Sequence, residues 1–322
     1  MSKPSQTYVI GNKIEVRRAH SAGLLLFDLD DTIVQGGSHV SKRVLSTLKK
    51  ARESGYVLSL ASGRPLPIVN KQVLNTGAMA YAVCANGATV TRLTDGAVIS
   101  HRPMPRDDAL ACHKMLAPFK PAWNAFYGEH AYFEWKGASY MLVGRTGAAA
   151  RVQRYAKVQK GSAKQLVKIA WRGARFVGRM TFDRNHRQVL SILPHIRKAV
   201  QGVDKMGCTI MNADHCALAK QMLEEDGRFE VVSMGATELE ITRRGVTKGT
   251  GAERLIEALG MEPQDATAFG DGGNDLPLAS AVGCFVAMGN ADDEVKAAAD
   301  DVCPPVDEDG VAVWIEQHLL KA

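Results

Sequence analysis

Asp28-Leu29-Asp30-Asp31-Thr32 sets the Asp28 and Asp30 carboxylates with one residue between them, directly after the apolar run Gly23 to Phe27. Carboxylates held that close repel one another, so a site that keeps both needs a cation or a proton between them. That requirement points to Mg2+, a hard cation suited to oxygen ligands, and to acid/base work. A second acidic cluster, Gly270-Asp271-Gly272-Gly273-Asn274-Asp275, combines glycines that let backbone approach a ligand closely with two further oxygen-donor carboxylates. Ser62 offers a hydroxyl beside backbone N–H groups near a predicted helix start, an arrangement that cradles phosphate. Lys248 also lies at a predicted helix start, where the helix dipole disfavours a cation and an anionic partner would compensate. Each feature has a plainer reading: a solvated turn with a helix cap, a glycine-rich turn, a capping serine, an exposed lysine. Their weight comes from joint occurrence, in this order, each at a predicted strand end or helix start.

The elements that position them alternate. Gly23 to Phe27, Val57 to Ala61 and Tyr81 to Ala85 are short continuous apolar runs, as buried parallel strands require, and they stop at Asp28, Ser62-Gly63-Arg64 and Asn86-Gly87. Between them Ser41 caps a helical pattern through Val44, Leu45, Leu48 and Ala51 that ends near Ser54-Gly55, and Pro65 opens another helix. The pattern returns with a helix over Lys248 to Leu259, a strand over Ala266 to Phe269 and a helix over Asn274 to Ala281. It continues with a strand over Cys284 to Met288 and helices over Asp292 to Ala299 and Val311 to Leu320. This predicts an α/β fold, a Rossmann-like parallel-sheet core whose ligand site lies beyond the carboxyl ends of the strands. The middle reads differently. Thr89 to Leu93 and Ala97 to Arg102 flank Thr94-Asp95-Gly96, a hairpin signal, and later segments mix strand and helix. An inserted α+β domain is expected over 90–236, with the core at 23–89 and 237–322 and an N-terminal extension at 1–22.

Of 322 residues, 46% are hydrophobic and 23% charged, which sets aside disordered and collagen-like classes. No apolar run approaches the roughly 18 residues that a membrane-spanning helix needs, so no membrane partner is expected. Arg17-Arg18 is followed by too short an apolar run for an export signal, and a cytoplasmic location is expected. Six cysteines without a CxxC indicate neither a disulfide framework nor a zinc knuckle, and the nine histidines lack paired-ligand spacing. The net charge of +6 is unevenly spread: between Arg145 and Arg187 twelve basic residues face one acid, Asp183. Their recurrence every three or four residues fits the solvated face of a helix, with attraction of anionic substrates or nucleic acid as the sharper readings. Tyr155, Trp171 and Phe176 interleave poorly with this charge, so a nucleic-acid partner is not expected.

Taken together these segments resemble the haloacid dehalogenase-like phosphohydrolases, specifically the Cof-type phosphatase subgroup (class IIB) with a large α+β cap. The four family motifs stand here as Phe27-Asp28-Leu29-Asp30-Asp31-Thr32, Ala61-Ser62-Gly63-Arg64, Lys248-Gly249 and Gly270-Asp271-Gly272-Gly273-Asn274-Asp275. Subgroup features match at Asn86-Gly87-Ala88, at Glu240-Ile241 with Gly245-Val246-Thr247-Lys248-Gly249, at Val286-Ala287-Met288-Gly289-Asn290-Ala291 and at Asp309-Gly310-Val311. Where the family usually has an asparagine-containing loop before the last of these, this chain has Pro304-Pro305-Val306-Asp307.

The resemblance implies a Mg2+-dependent phosphatase acting on small phosphorylated metabolites such as sugar phosphates or phosphorylated cofactors. It implies that Asp28 is the nucleophile that forms an aspartyl-phosphate and that Asp30 is the general acid and base. Mg2+ would be held by the Asp28 and Asp271 carboxylates and the Asp30 carbonyl, with Asp275 beside the metal or behind its ligands and orienting Lys248. Ser62, Gly63, Lys248 and Asn274 would hold the phosphoryl group, and Thr32 would support the loop of the two aspartates. Two alternatives stay open: a phosphomutase or phosphotransferase on the same fold, and a nucleic-acid-binding protein using the basic insert.

Overall fold

The computed structural model describes residues 22–36, 39–137 and 185–320. Eleven of the twelve basic residues between Arg145 and Arg187, and the extension up to residue 21, lie outside the described residues. In chain order the strands are β1 (Gly23–Phe27), β2 (Tyr56–Ala61), β3 (Tyr81–Cys84), β4 (Thr89–Arg92) and β5 (Val98–His101). Then come β6 (Ala122–Tyr127), β7 (His130–Glu134), β8 (His186–Val189), β9 (Lys205–Thr209), β10 (Phe229–Ser233) and β11 (Glu238–Arg243). The chain closes with β12 (Ala266–Gly270), β13 (Cys284–Met288) and β14 (Asp301–Cys303). Among the described residues they form an eight-stranded sheet, β14-β13-β12-β1-β2-β3-β4-β5, and a six-stranded sheet, β10-β11-β9-β6-β7-β8.

β1 is buried at every residue because it sits mid-sheet, parallel to β12 on one side and β2 on the other, with its side chains in the main hydrophobic core. Phe27 stacks on Phe269 of β12 at 5.2 Å between ring centroids, which locks the two strands whose ends carry the acidic clusters. Each fully buried Leu or Phe here contributes roughly 1.5–3 kcal/mol by leaving water. The helix Lys42–Glu53 starts where the Ser41 hydroxyl accepts the Val44 N–H at 3.1 Å, and it buries Val44, Leu48 and Ala51. The helix Lys248–Leu259 begins in a reciprocal cap between Thr247 and Thr250 and stops at Gly260 in the left-handed region.

Four expectations need correction. The hairpin β4–β5 extends the parallel core sheet: Asn86 and Gly87, with φ of 54° and 93°, reverse the chain within one turn, so β4 pairs antiparallel on β3 from Cys84↔Thr89. At the return, β11 pairs with β9 and β10, so the six-stranded sheet runs to Arg243. The helix expected after Pro65 is two short turns, Leu66–Ile68 and Lys71–Leu74, separated by extended Val69, with Asn70 capping the second. Asn274 to Ala281 likewise divides into Gly273–Asp275 and Leu276–Ala279.

The six-stranded sheet packs one face on the helices Arg106–Leu116, Leu193–Lys198 and Ala213–Asp226. There Trp123, Met206, Cys208 and Leu239 are buried with Ile196 and Leu223. Strand alternation sends Asn124, Gly207 and Glu240 to the other face, where the register aligns them in one row with Phe133 and Gln188. That face meets the carboxyl end of the core sheet. No described helix is long and apolar enough to cross a membrane.

Candidate active site

At the end of β1 the chain turns sharply. The Leu29 carbonyl accepts both the Ile33 and Val34 N–H groups, at 3.2 and 2.8 Å, and Asp31 takes a left-handed φ of 60°. Asn290, in a segment singled out from the sequence, braces this turn. Its amide donates to the Asp31 carbonyl at 2.8 Å while its oxygen accepts the Val306 N–H at 2.8 Å. The Pro304-Pro305-Val306-Asp307 loop is thereby fastened to the aspartate loop.

Behind the turn lies a buried charge cluster. The Lys248 ammonium, 1% exposed, donates to Asp28 Oδ1 and to Asp275 Oδ1, both at 2.6 Å. The other Asp275 oxygen accepts the backbone N–H groups of Asp271 and Gly272 at 3.0 and 3.1 Å, so Asp275 clamps the glycine-rich loop and the lysine together. The Thr32 hydroxyl donates to Asp271 Oδ1 at 3.3 Å. Carboxylate oxygens of Asp28, Asp271 and Asp275 lie within 4.8 Å of one another.

Three carboxylates share one ammonium, and the imbalance shows in the titration of Asp28 and Asp271. Burial pushes the Asp28 carboxyl up to about 7, with Asp275 and Asp30 adding to the rise and Lys248 opposing it. Burial, helped by the Asp28 and Asp275 charges, also lifts Asp271 well above the ordinary carboxylate range. Burial works against the Lys248 ammonium, but Asp275 and Asp28 outweigh it and hold the lysine above its ordinary value. A surplus of buried oxygen donors over positive charge is the donor set a hard divalent cation fits.

Ser62 and Gly63 follow β2, the neighbour of β1 in the sheet. The Ser62 hydroxyl, 1% exposed, accepts the Arg64 N–H at 3.2 Å. Arg64 then reaches back to Asp30, its Nε to Oδ2 at 2.7 Å and its Nη2 to Oδ1 at 2.5 Å. Both Asp30 oxygens are thus engaged by a guanidinium, which leaves the Asp30 backbone carbonyl as its group available to a cation. Asn274 turns away from the charge cluster: its amide nitrogen is 3.5 Å from both Asn86 Oδ1 and Glu240 Oε2. The structure thus gathers Asp28, Thr32, Lys248, Asp271 and Asp275 into one contact network and leaves Asp30, Ser62, Gly63 and Asn274 on its rim.

Sequence reasoning assigned no role to Arg64, Asn86, Glu240 or Lys205. The first three stood inside quoted motifs. Lys205 carried no signal beyond a charge opening an otherwise uncharged strand.

The chain matches the haloacid dehalogenase-like hydrolases over residues 25–315. It is 26% identical over 298 residues, covering 92% of this chain and 97% of the relative, to 5-amino-6-(5-phospho-D-ribitylamino)uracil phosphatase YwtE of Bacillus subtilis. It is 25% identical over 301 residues, covering 92% and 98%, to pyridoxal phosphate phosphatase YbhA of Escherichia coli. Among solved structures, a haloacid dehalogenase-like hydrolase from B. subtilis superimposes with a TM-score of 0.76 at 21% identity, covering 92% of this chain and 99% of that one. A subclass IIB sugar phosphatase gives 0.67 at 21% identity, covering 92% and 98%. With the match spanning nearly all the described residues and both sheets present, the chain belongs to the haloacid dehalogenase-like hydrolase family.

Proposed function

We propose that this hydrolase is a Mg2+-dependent phosphatase of small phosphorylated metabolites, with Asp28 as nucleophile and an aspartyl-phosphate as intermediate. The observation that carries the reading is Asp28 itself, 6% exposed at the carboxyl end of the central strand and bonded to Lys248 within a cluster of three carboxylates. Two relatives named as phosphatases of a ribitylaminouracil phosphate and of pyridoxal phosphate support the substrate size.

Asp28 and Asp271 with the Asp30 carbonyl would hold the cation, whose charge, when bound, screens the nucleophile from the incoming phosphate. Lys248, fixed by Asp275, is the fixed positive charge beside the nucleophile and offsets the negative charge that gathers on the phosphoryl oxygens. The Asp28 oxygen attacks phosphorus as the ester oxygen leaves. Asp30, at the rim, acts in its protonated form with one oxygen released from Arg64: it gives the proton to that leaving oxygen and later takes one from the water that cleaves the aspartyl-phosphate. Arg64 presents the Asp30 carboxyl to this position, and Ser62 with the Gly63 backbone receives the phosphoryl oxygens. The six-stranded sheet acts as the cap that covers the reacting group and excludes water.

The test is phosphate release from a panel of sugar phosphates and phosphorylated cofactors, with Mg2+ and with chelator, for wild type and Asp28→Asn. Metal-dependent release that disappears in the variant is expected. Unchanged release by a clean preparation of Asp28→Asn would remove the assignment, and transfer of phosphate to a sugar hydroxyl without free phosphate would make the protein a mutase.

A further inference from the structure

Lys205 opens β9 on the face of the six-stranded sheet that meets the core, 3% exposed. A lysine so buried needs a partner, and it has one in Glu240 of β11, with which it forms an ion pair. The ammonium also stands 5.0 Å over the ring of Phe126, its register partner on β6. Burial pulls Lys205 below the ordinary lysine range, Glu240 opposes that, and the nearby Lys248 charge adds to it.

What surrounds the pair is the loop after β2, to which the reading above assigns the phosphoryl group. A Cβ placed on Gly63 would lie 3.0 Å from Asn86 Oδ1, 3.1 Å from Lys205 Nζ and 3.3 Å from Glu240 Oε2. Glycine at 63 therefore leaves the space through which the ammonium reaches the backbone after Ser62. Glu240 is anchored to the core, its Oε2 accepting the Asn86 amide at 2.7 Å, with the Asn274 amide at 3.5 Å. Asn86 holds a left-handed φ of 54° in that position. A strained asparagine, a glycine whose Cβ would crowd three side-chain ends and a buried lysine from the other sheet converge on one point.

We propose that Lys205 is a substrate-binding residue supplied by the six-stranded sheet: its ammonium takes a non-bridging oxygen of the phosphoryl group over Gly63, and Glu240 is the positioning residue that holds it there. This rests on the phosphatase reading above and adds a second cation, opposite Lys248, that is present only when the two sheets are docked. Binding and closure are then one event, because an open cap would withdraw this charge from the phosphate.

The experiment is calorimetric binding of inorganic orthovanadate, a phosphate analogue, by the intact Mg2+-loaded protein and its Lys205→Met, Lys205→Arg and Glu240→Gln variants. Alongside it, phosphate release is measured from an alkyl phosphate and from p-nitrophenyl phosphate. A hydrogen bond between charged groups predicts about 10- to 100-fold weaker orthovanadate binding in Lys205→Met. kcat/KM should fall comparably for both esters, since the contact is not to the leaving oxygen, and Lys205→Arg should recover part of the loss. Glu240→Gln should weaken orthovanadate binding by less than Lys205→Met and add no further loss when combined with it; an additive loss in the double variant would remove Glu240 as the positioning residue. Orthovanadate binding by Lys205→Met within about twofold of wild type would overturn the proposal. If the wild type bound orthovanadate but released no phosphate from any ester, the phosphatase reading would fall while the binding series still decided the role of Lys205.

Discussion

Replacing Asp28 by asparagine should stabilise the metal-free protein at alkaline pH while abolishing turnover. Burial among like charges lifts the Asp28 carboxyl from an ordinary 3.8 to about 7. Between those values the native state keeps a proton that the unfolded chain has released, so native stability falls as pH rises and the loss is complete once pH passes the native value. At about 1.36 kcal/mol per pH unit, the interval from about pH 5 to about pH 7 corresponds to roughly 3 kcal/mol. That is a large fraction of the 5–15 kcal/mol that roughly bounds a folded domain. Asparagine has nearly the same shape and no charge, so the variant lacks this term. Urea unfolding in chelator at about pH 5 and about pH 8.5 measures it as a difference of differences, which cancels the lost hydrogen bond to Lys248. Wild type should lose roughly 3 kcal/mol more than Asp28→Asn across that range. Mg2+ should restore wild type at high pH and leave the variant nearly unmoved. Parallel pH profiles for the two proteins would refute the idea that this nucleophile sits in a site with surplus negative charge.

Gly87→Ala should disrupt the lysine helix: at φ 93° an added Cβ would meet the Thr247 carbonyl oxygen at 2.0 Å, and Thr247 caps the helix that starts at Lys248. Loss of at least ~2 kcal/mol in thermal unfolding, together with reduced activity, is expected, and a variant as stable as wild type would contradict it. Arg64→Lys cannot reproduce the two-pronged hold on Asp30, so kcat should fall about tenfold or more with the unfolding midpoint unchanged; full activity would show that Arg64 does not present Asp30. His101, at the end of β5, bonds Asp204 at 2.7 Å, and that hydrogen bond raises the imidazole above its ordinary 6.5. The stability it adds is present in full below 6.5 and is lost as pH rises through the raised value. At 35% side-chain exposure, screening limits it to about 1 kcal/mol or less. The gap between wild type and His101→Gln should therefore close at alkaline pH, and a gap that stayed constant would count against it.

Much of the core was legible because local pattern and tertiary role coincide there. A strand buried on both faces must be an unbroken apolar run, so Gly23–Phe27 announced itself, and a charge directly after it had to stand at the sheet's carboxyl end. The helix at Lys42–Glu53 was readable from its capping serine and apolar spacing, since both act within one turn. The breaks at Val69 and before Leu276 were less so, because short turns beside a site are set by what the loop must bond. Sheet membership of the β4–β5 hairpin was not readable either: alternation shows that two strands pair, not which sheet edge receives them.

By itself, then, the sequence determined the alternating core, the insertion within it and the residue types standing at the strand ends. Each of those depends on neighbours a few positions away along the chain. Tertiary structure decided which charges meet, only the Lys248–Asp275 pair having been implied beforehand by the family resemblance. Lys248 lies between Asp28 and Asp275, Asp30 is turned to Arg64, and Lys205 comes from the second sheet to pair with Glu240 above Gly63. A buried charge is held by whichever partner folding brings within a hydrogen bond, and nothing in local spacing records that partner.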